Sequence, residues 1–170
     1  NDNFEAGMRA AMHALGCGGD AVVPTLITRG LSHRSPLVAG RAAEALGEAA
    51  QSPTPVVVAA LCELAKRMQL EIDQMPPTVD WEGGSNFHLE TFQLPMLPEV
   101  QREAAARWVT IATCVDALAV IAQRAVAQKR GALCAELATI FLGFLDSVAP
   151  PVRHAAAVGL QCVAVVPEVK

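Results

Sequence analysis

Two residue spacings that could support metal-binding or acid–base chemistry lie in one proline-bounded segment, residues 74–98. His88 and Glu90 have the spacing of part of a two-histidine, one-carboxylate iron site. Such a site also needs a distal histidine and a rigid strand scaffold, and the other three histidines lie in helical patterns. We therefore predict no metal site in this segment.

Asp80 and Glu82 have the spacing of a paired acid and base, but two carboxylates in an acidic loop are usually just solvated. No glycine-rich phosphate loop follows a strand pattern, and no G-x-S-x-G turn or Cys/His catalytic pattern is present. The five cysteines form no C-x-x-C pair, as expected for free thiols in a reducing, cytoplasmic compartment. We predict a non-enzymatic protein without catalytic residues, bound metal or cofactor.

Composition favours a globular protein built from closely packed helices. Of the 170 residues, 52% are hydrophobic and only 4% are aromatic, which excludes a disordered chain. Thirteen basic residues are scattered among seventeen acidic ones for a net charge of −4, so we predict no nucleic-acid partner. No uninterrupted apolar run reaches the roughly 18 to 20 residues that span a bilayer, and we predict no membrane partner.

Four alanine-rich segments repeat along the chain. Residues 8–16 and 39–47 align with a spacing of 31 residues and share the pattern Ala-x-x-Ala-Leu-Gly. Residues 152–160 form a third copy, and residues 102–109 form a weaker fourth copy. Each copy predicts a helix with small residues along one stripe and a Leu or Val near its end.

Repeated helix pairs bury their apolar sides only against the next pair. Leu15, Leu46 and Leu160 are therefore predicted to be buried. The arginines that recur near these helices are predicted to bond neighbouring helix ends or acids of the adjacent repeat: Arg9, Arg41, Arg102 and Arg153.

Capping signals divide the chain into helices. Ser35-Pro36 and Ser52-Pro53-Thr54-Pro55 each place an N-cap residue before a proline in the first turn. Asp20 is predicted to cap a second helix. The segment 131–146 is apolar on most sides, which predicts a helix that is sandwiched between neighbours or covered by something outside this chain. The predicted helices are 4–15, 20–31, 36–50, 55–73, 98–128 (one helix or two), 131–146 and 151–165.

Two stretches resemble the HEAT repeat family, in particular its short variety named after phycobilisome lyases. Val152-Arg153 followed by Ala155-Ala156-Ala157 is similar to the first helix of that repeat, and Gly19-Asp20-Ala21-Val22-Val23-Pro24-Thr25-Leu26-Ile27 is similar to the second. The resemblance implies an all-α, right-handed α-solenoid of antiparallel helix pairs, interrupted by one long non-helical insert at 74–98. We predict a single domain over residues 1–170, taken from a larger protein.

Solenoids of this kind usually present an extended surface to other proteins. The resemblance therefore implies a non-catalytic interaction or scaffold module of a larger protein. Two alternatives remain open. One is an accessory or substrate-recruiting segment of an enzyme, for example one resembling a bilin lyase, and the other, less favoured, is a nucleic-acid-binding array.

The acidic insert at 74–98 is the candidate partner site. Between Arg67 and Arg102 there are six acids and no Lys or Arg; they carry −6, so the rest of the chain sums to +2 for the total of −4. Its aromatic side chains either pin the loop to the solenoid or, together with the acids, dock a basic and partly apolar segment of a protein partner. The predicted partner-binding residues are Asp80, Trp81, Glu82, Phe87, His88, Glu90 and Phe92.

Overall fold

The computed structural model describes Gly7, Ala10, Ala11 and residues 13–75 and 99–164. Within these residues every regular element is helical and no strand is present, so the predicted all-α class is confirmed. The predicted insert lies almost entirely outside the described residues, because only Gln74 and Met75 belong to them.

The described residues of the predicted helix 4–15 are helical, as are the residues up to 16. Within residues 36–75 and 99–164, five long helices follow one another. Their starts match the capping signals, because a proline occupies the first turn of three of them and the Thr54 hydroxyl accepts a hydrogen bond from Val57 N at 3.4 Å. The predicted segment 98–128 forms one helix of 29 residues rather than two. The helices are α1 (Pro36–Ala49), α2 (Pro55–Asp73), α3 (Glu99–Ala127), α4 (Gly131–Leu145) and α5 (Pro150–Val163).

The segment before α1 is less regular than predicted. A 3₁₀ turn (Gly19–Val22), a short α-helical turn (Val23–Thr25) and a π-helical turn (Leu26–Gly30) replace the single helix predicted for 20–31. The predicted cap at Asp20 is wrong. Gly18 is the N-cap, and the Asp20 carboxylate instead accepts a hydrogen bond from Ser52 N at 3.2 Å.

The burial predicted for the repeat leucines holds for one copy, holds partly for another and fails for the third. Leu46 is fully buried and Leu160 is partly buried, whereas Leu15 is 36% exposed. At the first copy, Gly16 is the residue that packs against α1: a Cβ there would lie 3.3 Å from Ala45 O. Because adjacent helical residues point about 100° apart, a helix that turns Gly16 inward turns Leu15 outward.

Helix α3 is the centre of the described fold. It packs against each of the other four helices, and its strongest contacts are with α1 and α5. Small residues let α1 and α3 approach closely: a Cβ at Gly40 would lie 3.1 Å from Thr110 Oγ1, and a Cβ at Gly47 would lie 2.9 Å from Ala117 Cβ. Helices α1, α3 and α5 therefore form one closely packed layer, whereas α2 packs mainly on α3 and α4 packs on α5 as well as on α3.

Arginine side chains tie the ends of helices to the loops beside them. Arg124 of α3 donates hydrogen bonds to carbonyl oxygens at the end of α1, those of Gly47, Glu48 (3.0 Å) and Ala50 (2.9 Å). These carbonyls lack partners within the helix, so the Arg124 side chain caps the C-terminal end of α1. Arg130 donates in the same manner to the Pro53 carbonyl just before α2.

The arginines predicted to bond helix ends behave unequally. Arg153 fits the prediction, because it donates to the Ser147 and Val148 carbonyls in the loop after α4, at 2.7 and 2.8 Å. Arg41 instead pairs with Glu44 of its own helix at 2.8 Å. Arg9 lies outside the described residues. Arg102 also has an interaction partner, and its predicted bond to a helix end or an adjacent acid stays a prediction.

By length and composition alone, Gln101–Ala127 of α3 could cross a membrane, with a mean hydropathy of 1.6. This helix is also central to the core of the fold, and 67% of its most apolar 18-residue stretch is buried there. A core helix of a soluble protein passes the same test, so this property is weak evidence for a membrane span.

Candidate functional site

The seven residues predicted to bind a partner, from Asp80 to Phe92, all lie outside the described residues. The partner site proposed for these residues therefore stays a prediction. In residues 13–75 and 99–164, no group of three or more His, Cys, Asp or Glu side chains is arranged to hold a metal ion. The site that the described residues do form lies elsewhere, on helices rather than in a loop.

A groove runs between α2 and α4. Both helices pack on α3 but make little contact with each other, and the space between them contains two adjoining cavities of about 380 and 440 Å³. The cavities share Lys66, Gly143 and Phe144, so they form one continuous depression. We call it the α2–α4 groove. Its other lining residues are Val58, Ala59, Cys62, Glu63, Ala65, Gln69, Trp108, Ile111, Glu136, Thr139, Ile140, Asp146, Ser147 and Val148.

The two walls of the α2–α4 groove run in the same direction. At one end, Val58 and Cys62 of α2 lie across from Glu136 and Ile140 of α4. At the other end, residues near Gln69 lie across from the end of α4. Since eleven residues separate Val58 from Gln69, the groove follows α2 for about 16 Å at 1.5 Å per residue.

The floor and walls of the α2–α4 groove are apolar. Trp108 and Ile111 of α3 form the floor and are themselves 5% and 2% exposed. Ile140 and Phe144 line the α4 wall and are half-buried. Gly143 leaves this wall open, because a Cβ built there would meet no atom within 4 Å. Apolar surface of this kind favours a ligand that removes it from water.

Charged side chains are confined to the rim of the groove. Lys66 pairs with Glu63 on α2 at 3.1 Å, and both side chains are about 70% exposed, so the pair contributes little to stability. Glu136 and Asp146 on the α4 side are exposed and form no ion pair with another described residue. The rim therefore holds three carboxylates against one ammonium group.

Cys62 lies in the wall but lacks the character of a nucleophile. Burial is the main cause that raises the pKa of its thiol, and Glu136 and Glu63 add to the rise against an opposing effect of Lys66. The thiol therefore stays protonated at neutral pH. Complete burial raises the pKa of the Cys114 thiol in the same direction.

An ion pair fixes the α2 wall on α3 beyond the end of the groove. Arg107 Nε of α3 donates to Glu71 Oε2 of α2 at 2.8 Å, and the Arg107 side chain is only 17% exposed. Arg67, which like Glu71 belongs to α2, donates to the Leu31 carbonyl at 2.8 Å. Both bonds hold α2 in place without using any group that lines the groove.

Sequence patterns indicated only part of this site. The apolar character of 131–146 predicted a helix that is either sandwiched between neighbours or covered by something outside this chain. In the structure, Leu142 of that helix is 56% exposed and Gly143 is also exposed. The contributions of Lys66 and Trp108 were not predicted, because periodicity locates the face of each helix but not the distance between two helices.

No protein-family model, curated protein or solved structure matches the chain. The likeness to HEAT repeats consequently rests on the segments quoted from the sequence and stays a proposal.

Proposed function

We propose that this chain is a non-catalytic protein-interaction module, built as a HEAT-like solenoid, whose α2–α4 groove receives part of a protein partner. The observation that carries the proposal is an apolar groove of about 16 Å whose charges all lie on its rim. Apolar surface bordered by polar side chains is typical of protein-binding sites.

The solenoid part of the proposal is supported by the order of the helices. Helices α1, α3 and α5 pack side by side, and each of the first two is followed in the chain by a helix, α2 or α4, that packs on α3. The walls α2 and α4 also run in the same direction, as second helices of successive repeats would.

Gly143 provides the test. Gly143→Phe would place a ring into the open wall, and Gly143→Ala would add one methyl group where nothing lies within 4 Å. We expect the alanine variant to capture the same protein from a lysate of the source cells as the unmodified chain, and the phenylalanine variant to lose it. Equal capture by both variants, with unchanged helical circular dichroism, would remove the groove from the proposal.

The acidic insert remains a second proposed contact, with Trp81, Phe87 and Phe92 as anchors and its acids steering a basic segment. Deletion of residues 78–94 should weaken capture of the same protein. Unchanged capture by the deleted chain would exclude the insert and leave the groove as the site.

The two alternative functions have direct tests of their own. A bilin-lyase-like role predicts a change in visible absorbance when the chain is mixed with a bilin. A nucleic-acid-binding role predicts a mobility shift that weakens steeply with salt. A negative result in either assay would remove that alternative.

A further inference from the structure

We propose that the occupant of the α2–α4 groove is a short amphipathic α-helix of the partner, with an apolar face of about three turns and basic residues beside it. This inference rests on the proposed function, because it names the class of segment that the groove would bind.

The walls of the groove favour a helix over an extended peptide. Apart from the loop residues Ser147 and Val148, whose carbonyls accept hydrogen bonds from Arg153, the walls and floor are α-helices. Their backbone N–H and C=O groups are mostly paired within each helix. An extended peptide pressed into this apolar space would leave its own backbone groups without partners, which is costly. A helix satisfies those groups internally and presents only side chains.

The length of the groove sets the length of the occupant. About 16 Å from Val58 to Gln69 corresponds to eleven helical residues, or three turns. Apolar side chains at positions i, i+3 or i+4, and i+7 would reach the floor at Trp108 and Ile111. The open wall at Gly143 admits the bulkiest of these side chains.

The charge of the rim selects a basic helix. Glu63, Glu136 and Asp146 outnumber Lys66, which already pairs with Glu63. Asp146 is also the C-cap of α4, but at this end Arg153 already donates to the Ser147 and Val148 carbonyls. The negative part of the rim is therefore the other end, at Glu136 of α4. Lysine or arginine residues of the partner are expected there.

Trp108 provides a direct measurement of binding. The chain has two tryptophans, so Trp81→Phe leaves Trp108, in the floor of the groove, as the single fluorescent reporter. Three 15-residue peptides serve as probes. One has leucines on one helical face and lysines on the other, one has glutamates in place of the lysines, and one is a scrambled lysine peptide of equal composition.

We expect the lysine peptide to change the Trp108 emission and to bind about tenfold more tightly than the glutamate peptide. The scrambled peptide should bind at least tenfold more weakly, because its leucines share no face. Equal affinity of the lysine and scrambled peptides would overturn the helical occupant. Equal affinity of the lysine and glutamate peptides would overturn its basic character.

Variants locate the binding and control for folding. Gly143→Phe should abolish the emission change, and Gly143→Ala should keep it. The double variant Glu136→Lys with Asp146→Lys changes only exposed side chains, and it should reverse the preference between lysine and glutamate peptides. An unchanged preference would contradict the role of the rim.

Failure of this inference can be told apart from failure of the proposed function. If no peptide binds but capture of a cellular protein still depends on Gly143, the groove binds a partner that is not a basic helix. If neither peptide binding nor capture depends on Gly143, both proposals are wrong.

Discussion

Single side chains set how closely the helices approach one another. A Cβ at Gly159 of α5 would lie 2.4 to 2.7 Å from ring atoms of Phe141, which is fully buried in α4. We expect Gly159→Ala to destabilise the protein by about 1–3 kcal/mol, because overpacking of a rigid ring exceeds the gain in helix propensity. Urea unfolding followed by circular dichroism measures the change.

Gly143→Ala is the matched control for this prediction. It makes the same substitution in a helix interior, but with open space around the new methyl group. It should stabilise the protein by up to about 1 kcal/mol. If both alanine variants shift the urea midpoint in the same direction, the close contact at Gly159 does not decide its effect.

Thr110 is a buried polar side chain that joins two helices. Its hydroxyl lies 2.8 Å from the Pro36 carbonyl of α1 and 2.9 Å from the Ala106 carbonyl of its own helix. Thr110→Val should cost about 1 kcal/mol, since it removes the bond to α1 at nearly constant volume. Thr113→Val is the control, because Thr113 bonds only the Val109 carbonyl of the same helix at 2.9 Å. Equal losses in thermal unfolding would contradict the cross-helix role.

Asp20 gives the stability a specific dependence on pH. Hydrogen bonds from Ser52 lower the pKa of the Asp20 carboxyl below its ordinary value of 3.8. A lowered folded-state pKa means that the carboxylate stabilises the fold fully above pH 3.8, and that this contribution is lost as pH falls through the folded-state pKa. Asp20→Asn should therefore lower Tm at pH 7, and this difference in Tm should shrink at pH values below 3.8. A constant difference in Tm between these pH values would contradict the assignment.

At the scale of elements, side chains of one helix form hydrogen bonds to the backbone of another. Arg124 of α3 bonds three carbonyls at the end of α1. Arg124→Ala should destabilise the protein by about 2–3 kcal/mol, because buried carbonyls lose a charged donor. Amide hydrogen exchange should also accelerate around Gln51 and Ser52 more than in α5. Uniform acceleration over the whole fold would point to a general packing defect instead.

The helices themselves were largely predictable, because each carries its own periodicity and start signal. Ser35-Pro36 and Thr54-Pro55 mark the starts of α1 and α2 within the sequence itself. The mixed segment Gly19–Gly30 was not predictable, since tertiary contacts such as that between Asp20 and Ser52 override a weak local pattern. The α2–α4 groove was also hidden, because it depends on the relative placement of three helices.

At the scale of the whole molecule, α3 makes the described fold one unit rather than a row of independent repeats. Every other regular helix packs on it, because in so short an array α3 is a neighbour of every other repeat. We expect a single cooperative transition in urea, with circular dichroism and Trp108 emission of the Trp81→Phe variant giving the same midpoint. Separate midpoints would indicate repeats that unfold independently.

The position of α3 in the chain also affects how the protein is made. Helices α1 and α2 contact each other only slightly and depend on α3 for most of their packing. A ribosome must add the 54 residues from Asp73 to Ala127 before that support is complete, which takes roughly 3 to 11 s at ordinary rates of synthesis. During this interval the nascent chain exposes alanine- and valine-rich surface, so a chaperone that binds short apolar segments would find its targets in the first 75 residues.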